Sequence, residues 1–160
     1  PAHAGIDILS LTDRDTLAAL LDAACRRKPR DLTPEERVRY GLPAGACALV
    51  GFSQGTMMAL HVGLRRKEPL GAVLGYSGHL AGPELLRAEA LSRPPVCLIH
   101  GDRDEVIPVG AILNAVEGLA AAGIPAQWKI SPGAGHTIAE DGLAVGMRFL
   151  KSALTGRYAG

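Results

Sequence analysis

Ala46-Cys47-Ala48-Leu49-Val50-Gly51-Phe52-Ser53-Gln54-Gly55-Thr56-Met57-Met58-Ala59-Leu60-His61 runs from an unbroken apolar segment, through Gly-x-Ser-x-Gly, into helix-forming residues. An apolar run such as 46–52 suits a strand covered on both faces, and the residues from Gln54 onward read as a helix. Glycines at 51 and 55 let the chain turn sharply and push the Ser53 hydroxyl into the open. The pentapeptide alone is weak, because Gly and Ser also build ordinary turns. Between a strand and a helix it is a nucleophile-elbow signature, with Ser53 as the nucleophile.

Downstream of the elbow, strands and helices alternate. Apolar runs at 46–52, 70–76, 95–100 and 126–130 predict four strands, and the patterns at 54–67, 83–91, 108–122 and 138–153 predict helices. Short connections between such elements imply a parallel sheet with right-handed crossovers and helices on both faces, an α/β fold. Upstream, Thr12-Asp13-Arg14-Asp15 opens a helix to about Lys28. Thr33, Pro34, Glu35 and Glu36 then start a short second helix that Gly41 stops.

The 160 residues fit a single domain spanning 1–160, and no repeat or low-complexity linker divides it. Seventeen basic against sixteen acidic residues, net +1, leave no electrostatic footprint for nucleic acid. The clusters Arg26-Arg27-Lys28 and Arg65-Arg66-Lys67 fall where helices should end, and there cations complement the helix dipole. Cys25, Cys47 and Cys97 have no metal-ligand spacing, and the last two lie in strand-like runs. Buried thiols in a reducing compartment fit better than a disulfide frame. With no apolar run of bilayer length and no signal-peptide pattern, a cytoplasmic protein without a membrane span is expected.

Open parallel sheets bind ligands at the carboxyl ends of their strands. Past the four strands come Ser53; Ser77-Gly78-His79; Gly101-Asp102-Arg103-Asp104; and Gly133-Ala134-Gly135-His136. A hydroxyl, an acid and an imidazole would therefore converge on one sheet edge. A serine needs a base to take its proton, and imidazole serves near neutral pH. The imidazole needs a carboxylate to hold its tautomer and stabilise its cation. Ser53, Asp104 and His136 supply these parts in the order Ser, Asp, His. Asp102 shares the third loop, but it lies closer to the strand end and reads as a turn cap, so Asp104 is preferred. His3, His61 and His100 read as terminal, helical and core residues, and Met57 and Met58 read first as core packing. Met57, His79 and Val106 are nevertheless the candidates for substrate contact.

From Leu42 to about Leu150 these pieces resemble the carboxylesterase/phospholipase group of α/β-hydrolases, relatives of acyl-protein thioesterases. Carrying the likeness are Gly51-Phe52-Ser53-Gln54-Gly55, Tyr76-Ser77-Gly78, His100-Gly101-Asp102-Arg103-Asp104-Glu105-Val106-Ile107-Pro108 and Gly133-Ala134-Gly135-His136. Ile6-Asp7-Ile8-Leu9-Ser10-Leu11 looks like the family's loop before the helix preceding the elbow strand. The resemblance implies an α/β-hydrolase sheet and cleavage of short- to medium-chain carboxylic esters, with lysophospholipids or acyl-protein thioesters as further substrates. It implies no metal or organic cofactor.

The likeness lacks the family's first strands and their His-Gly loop, which carries an oxyanion donor. The Gln54 N–H, at a helix start, is the donor that remains. Losing the other costs on the order of 10²–10³ in rate, so a weak enzyme, or a binding module that keeps the triad side chains, is the alternative expectation. The elbow strand would also lie at a sheet edge, so the chain is expected to form a homodimer through that edge, to rearrange around it, or to be a remnant of a longer protein.

Overall fold

A computed structural model describes residues 43–157. The helices expected over 12–28 and 33–41, and Cys25, lie outside the described residues. In chain order the elements are β1 (Ala48–Phe52), α1 (Gln54–Leu64), β2 (Ala72–Tyr76), α2 (Pro83–Glu89), β3 (Val96–Gly101), α3 (Gly110–Ala121), β4 (Ala126–Ser131) and α4 (Glu140–Leu154). The four strands are parallel and ordered β1-β2-β3-β4. The fold is the expected α/β one, with small shifts at element ends. β1 starts two residues later than expected because Ala44–Ala46 forms a 3₁₀ turn. α4 starts at Glu140 rather than at 138.

Period-two alternation splits the strands between two apolar layers. On one face Val73, Val96 and Leu98 pack with Leu60 and Leu64 of α1, Leu86 of α2, and Ile112 and Leu119 of α3. On the other, Ala72, Leu74, Tyr76, Cys97 and Ile99 meet Phe149 and Leu150 of α4. β2 and β3 are buried along their whole length, which is why their sequences run apolar without a polar alternate. Each buried aliphatic side chain stabilises by roughly 1.5–3 kcal/mol, so the two layers fix the carboxyl ends of the strands.

β1 is an edge strand among the described residues and is only partly buried. Cys47 is half-buried rather than buried, because it precedes β1 instead of lying in it. Cys97 is buried, and both thiols are free. Among the described residues no helix is long and apolar enough to cross a membrane, and no cluster of ligating side chains could hold a metal ion.

Candidate active site

Ser53 occupies the corner between β1 and α1 at φ 53° and ψ −120°. Positive φ in a residue with a side chain is strained by on the order of 1–3 kcal/mol and persists only where the surroundings impose it. Several contacts do so here. The Ser53 N–H donates to the Tyr76 carbonyl at 2.9 Å, and its own carbonyl accepts the Thr56 N–H at 2.9 Å. The buried Thr56 hydroxyl lies 2.9 Å from the Gly51 carbonyl and 2.7 Å from that of Tyr76, tying the helix start to both strand ends. Gly51 is needed for close approach: a Cβ there would run into the backbone of Gly55 and Thr56. Gly55 differs from the expectation, since nothing among the described residues lies within 4 Å of a Cβ placed on it. Gln54 is the first residue of α1, so its N–H is among those without an intrahelical acceptor, at the positive end of the helix dipole.

Asp104 and His136 come together from loops 32 residues apart. His136 Nδ1 lies 2.8 Å from Asp104 Oδ2. The other oxygen, Oδ1, accepts the N–H of Val106 at 2.9 Å and of Ile107 at 2.8 Å. Burial by itself would raise this carboxyl's pKa. The Ile107 N–H, the His136 ring and the Val106 N–H outweigh it and hold the group below its ordinary value. Asp104 is therefore an anion at neutral pH, and its partner ring carries hydrogen on Nδ1. That tautomer leaves Nε2 of a neutral His136 as an acceptor. The Phe52 ring lies against the His136 ring, centroids 4.9 Å apart, so the residue before Ser53 borders the imidazole.

Asp102 does a different job. Its Oδ1 accepts the Gly133 N–H at 2.6 Å, and the Arg103 N–H donates to the Ala134 carbonyl at 2.9 Å. These bonds stitch the loop after β3 to the loop after β4 and so set Asp104 against His136. Gly101 lets the loops approach, because a Cβ there would strike the Ala134 carbonyl.

A cleft of about 500 Å³ has in its wall Val106 and Ile107, whose N–H groups hold Asp104. Met57, His79 and Val106 all line it, together with Leu80, Ile107 and Asn114. Met57 and Met58 depart from the core reading: α1 buries Thr56, Ala59, Leu60, Gly63 and Leu64, which turns Met57 toward the cleft and leaves Met58 45% exposed. α1 is apolar on both faces, so periodicity could not choose between them. Asn114 and Leu80 were missed altogether. An asparagine among apolar helix residues is a weak signal, and α3 carries it to the cleft only through its packing on the sheet. His61 is exposed, His79 is exposed at the cleft, and His100 is buried.

The phospholipase/carboxylesterase family profile matches residues 31–154. An acyl-protein thioesterase 1 from Gibberella zeae is 30% identical over 125 residues, covering 75% of this chain and 53% of the relative. Esterase YpfH of Escherichia coli is 30% identical over 128 residues, covering 77% and 54%. The chain thus spans about half the length of the curated relatives it matches. Among solved structures, esterase PE8 is 44% identical with a TM-score of 0.72, over 88% of this chain and 60% of that one. Arabidopsis thaliana SOBER1, at 20% identity and a TM-score of 0.69, covers 89% and 66% and shares the fold. By its family match and its four-stranded parallel sheet, this chain belongs to the phospholipase/carboxylesterase family of α/β-hydrolases.

Proposed function

We propose that the chain carries the catalytic residues of a serine hydrolase of short- to medium-chain carboxylic esters, working through a Ser53-His136-Asp104 triad. The observation that carries this reading is the 2.8 Å bond between His136 Nδ1 and Asp104 Oδ2; it is supported by the positive φ of Ser53 at a strand-to-helix corner and by the contact of its neighbour Phe52 with the His136 ring. In the proposed reaction Ser53 Oγ attacks the ester carbonyl carbon while His136 Nε2 takes the hydroxyl proton. The Gln54 N–H stabilises the oxyanion of the tetrahedral adduct. Collapse breaks the bond to the leaving oxygen, which takes the proton from His136 and departs as alcohol, leaving an acyl-serine. Water, deprotonated by His136, then attacks the acyl carbon and releases acid and free Ser53. A thiol leaves by the same route. The thioesterase and esterase relatives support substrates of both kinds.

The cleft beside the triad, walled by Met57, Leu80, Val106 and Ile107, suits an apolar acyl group, with His79 also in substrate reach. The free thiols of Cys47 and Cys97 support a reducing compartment such as the cytoplasm. Treatment with a fluorophosphonate tests the nucleophile: Ser53 is labelled in the folded protein, and Ser53→Ala is not. p-Nitrophenyl acetate turnover no higher than that of Ser53→Ala, in folded protein, would instead establish a non-catalytic binding module. Pairing of β1 with a second copy is the proposed assembly, supported by its place at the sheet edge among the described residues. Light scattering at micromolar concentration should give a dimer, and a clean monomer ends that proposal.

A further inference from the structure

His100 is the last but one residue of β3, with 1% of its surface exposed, on the face where Val96 and Leu98 enter the aliphatic layer. An imidazole in such a place is destabilising unless its polar atoms find partners. Nε2 lies 2.8 Å from the Ile107 carbonyl oxygen and 3.3 Å from Asp104 Oδ2. Both neighbours are acceptors, since Asp104 is held as an anion. Nε2 therefore carries hydrogen, donates to Ile107 and turns the positive end of its N–H dipole toward the carboxylate oxygen that His136 uses.

Ile107 is thus held at both of its backbone polar groups. Its N–H donates to Asp104 Oδ1 at 2.8 Å, and its carbonyl accepts from His100. Pro108 keeps that carbonyl available, because its ring disfavours helical backbone at the residue before it, and α3 begins only at Gly110. Of the groups facing the Asp104 carboxylate, the Val106 and Ile107 N–H belong to its own loop, and His136 sits on another loop. His100 is the one rooted in the sheet.

We propose that His100 is a positioning residue for the Asp104–His136 pair: by pinning the Ile107 peptide to the end of β3 it fixes the rotation of the carboxylate and so the direction in which His136 points. The proposal rests on the triad reading and adds to it a second histidine that touches neither substrate nor Ser53. A carboxylate freed to swing would misplace the imidazole, and misplacement by about 1 Å can cost on the order of 10² in rate.

Three variants separate positioning from simple packing. His100→Leu fills the space without a donor. His100→Gln brings an amide N–H to about the place of Nε2, and His100→Asn stops a bond short of it. Each is measured for p-nitrophenyl ester turnover and for the downfield proton NMR signal of the His136 Nδ1–H bonded to Asp104. The other charged groups of the loop are Asp102, engaged with Gly133, and the exposed Arg103 and Glu105. None of them is altered.

In His100→Leu kcat should fall about 10²-fold, and the His136 Nδ1–H signal should broaden or move upfield as its bond to Asp104 loosens. His100→Gln should recover both. If His100→Leu does not fold, His100→Asn takes its place in the comparison. A folded His100→Leu with unchanged turnover and an unchanged His136 Nδ1–H signal overturns the proposal. So does His100→Gln faring no better than the donor-less variant. Should wild-type Ser53 resist fluorophosphonate while the His136 Nδ1–H signal still follows residue 100, the positioning role stands and the hydrolase reading falls.

Discussion

Two aspartates two residues apart carry opposite loads. Asp104 is buried, with both oxygens engaged by Val106, Ile107 and His136, whereas Asp102 is exposed and holds the Gly133 N–H. Asp104→Asn keeps the shape but removes the anion and offers an N–H where His136 donates, favouring the wrong tautomer. Ester turnover should fall by about 10³–10⁴-fold, mainly in kcat. Asp102→Asn retains a carbonyl acceptor for Gly133 and should stay within several-fold of wild type. Steady-state kinetics on one p-nitrophenyl ester check both, and equal losses would assign the acid role wrongly.

The same carboxyl makes a pH prediction. Its native pKa is depressed, while in the unfolded chain it titrates near about 3.9. Its stabilisation is therefore complete above that value and is lost as pH falls through the lower native one. Urea unfolding from pH 7 down to pH 3 should show wild type losing more stability than Asp104→Asn over the acid part of the range.

At the scale of elements, the elbow depends on one of its two glycines. Gly51→Ala drives a methyl group into the backbone of Gly55 and Thr56, which has no side-chain freedom to yield. A loss of at least about 2–3 kcal/mol is expected, together with loss of fluorophosphonate labelling as the corner opens. Gly55→Ala meets open space among the described residues and exchanges a poor helix former for the best. Stability should hold or rise by up to about 1 kcal/mol. Chemical denaturation of the two variants decides, and equal damage would remove the steric account.

The elements themselves were legible in the sequence because a parallel sheet covered on both faces demands continuous apolar runs, and Val96-Cys97-Leu98-Ile99 reads so without ambiguity. Their ends were less so: nothing in Ala44-Gly45-Ala46 announces a 3₁₀ turn that delays β1. The loop residues could be ordered but not aimed. Sequence separates Asp104 from Asp102 only by distance from the strand end, whereas the bond of Gly133, 31 residues away, shows what Asp102 holds. His100 read as core because burial is all that a strand end reveals. Its hydrogen bond reaches forward to a carbonyl that Pro108 turns out of α3.

At the scale of the whole molecule, the described residues form a sheet between unequal layers. Among them α1, α2 and α3 cover one face, and α4 packs on the other. Tyr76 and Cys97 lie beneath α4. Burial, with Cys97 close by, pushes the Tyr76 hydroxyl well above its usual range, and burial alone pushes the Cys97 thiol up to about 12. The thiolate is the reactive form, so at pH 8 Cys97 in the folded protein stays a protonated, unreactive thiol. Reagent reaches Cys97 only when α4 leaves the sheet, which opens the layer containing Leu74, Ile99 and Phe149. In a Cys25→Ser background, Ellman's reagent should titrate the half-buried Cys47 in native protein, while Cys97 reacts at a rate that tracks unfolding across a urea series. Fast reaction of Cys97 in native buffer, with the rest of the fold intact by circular dichroism, would mean that α4 opens on its own and that the two layers do not unfold as one unit.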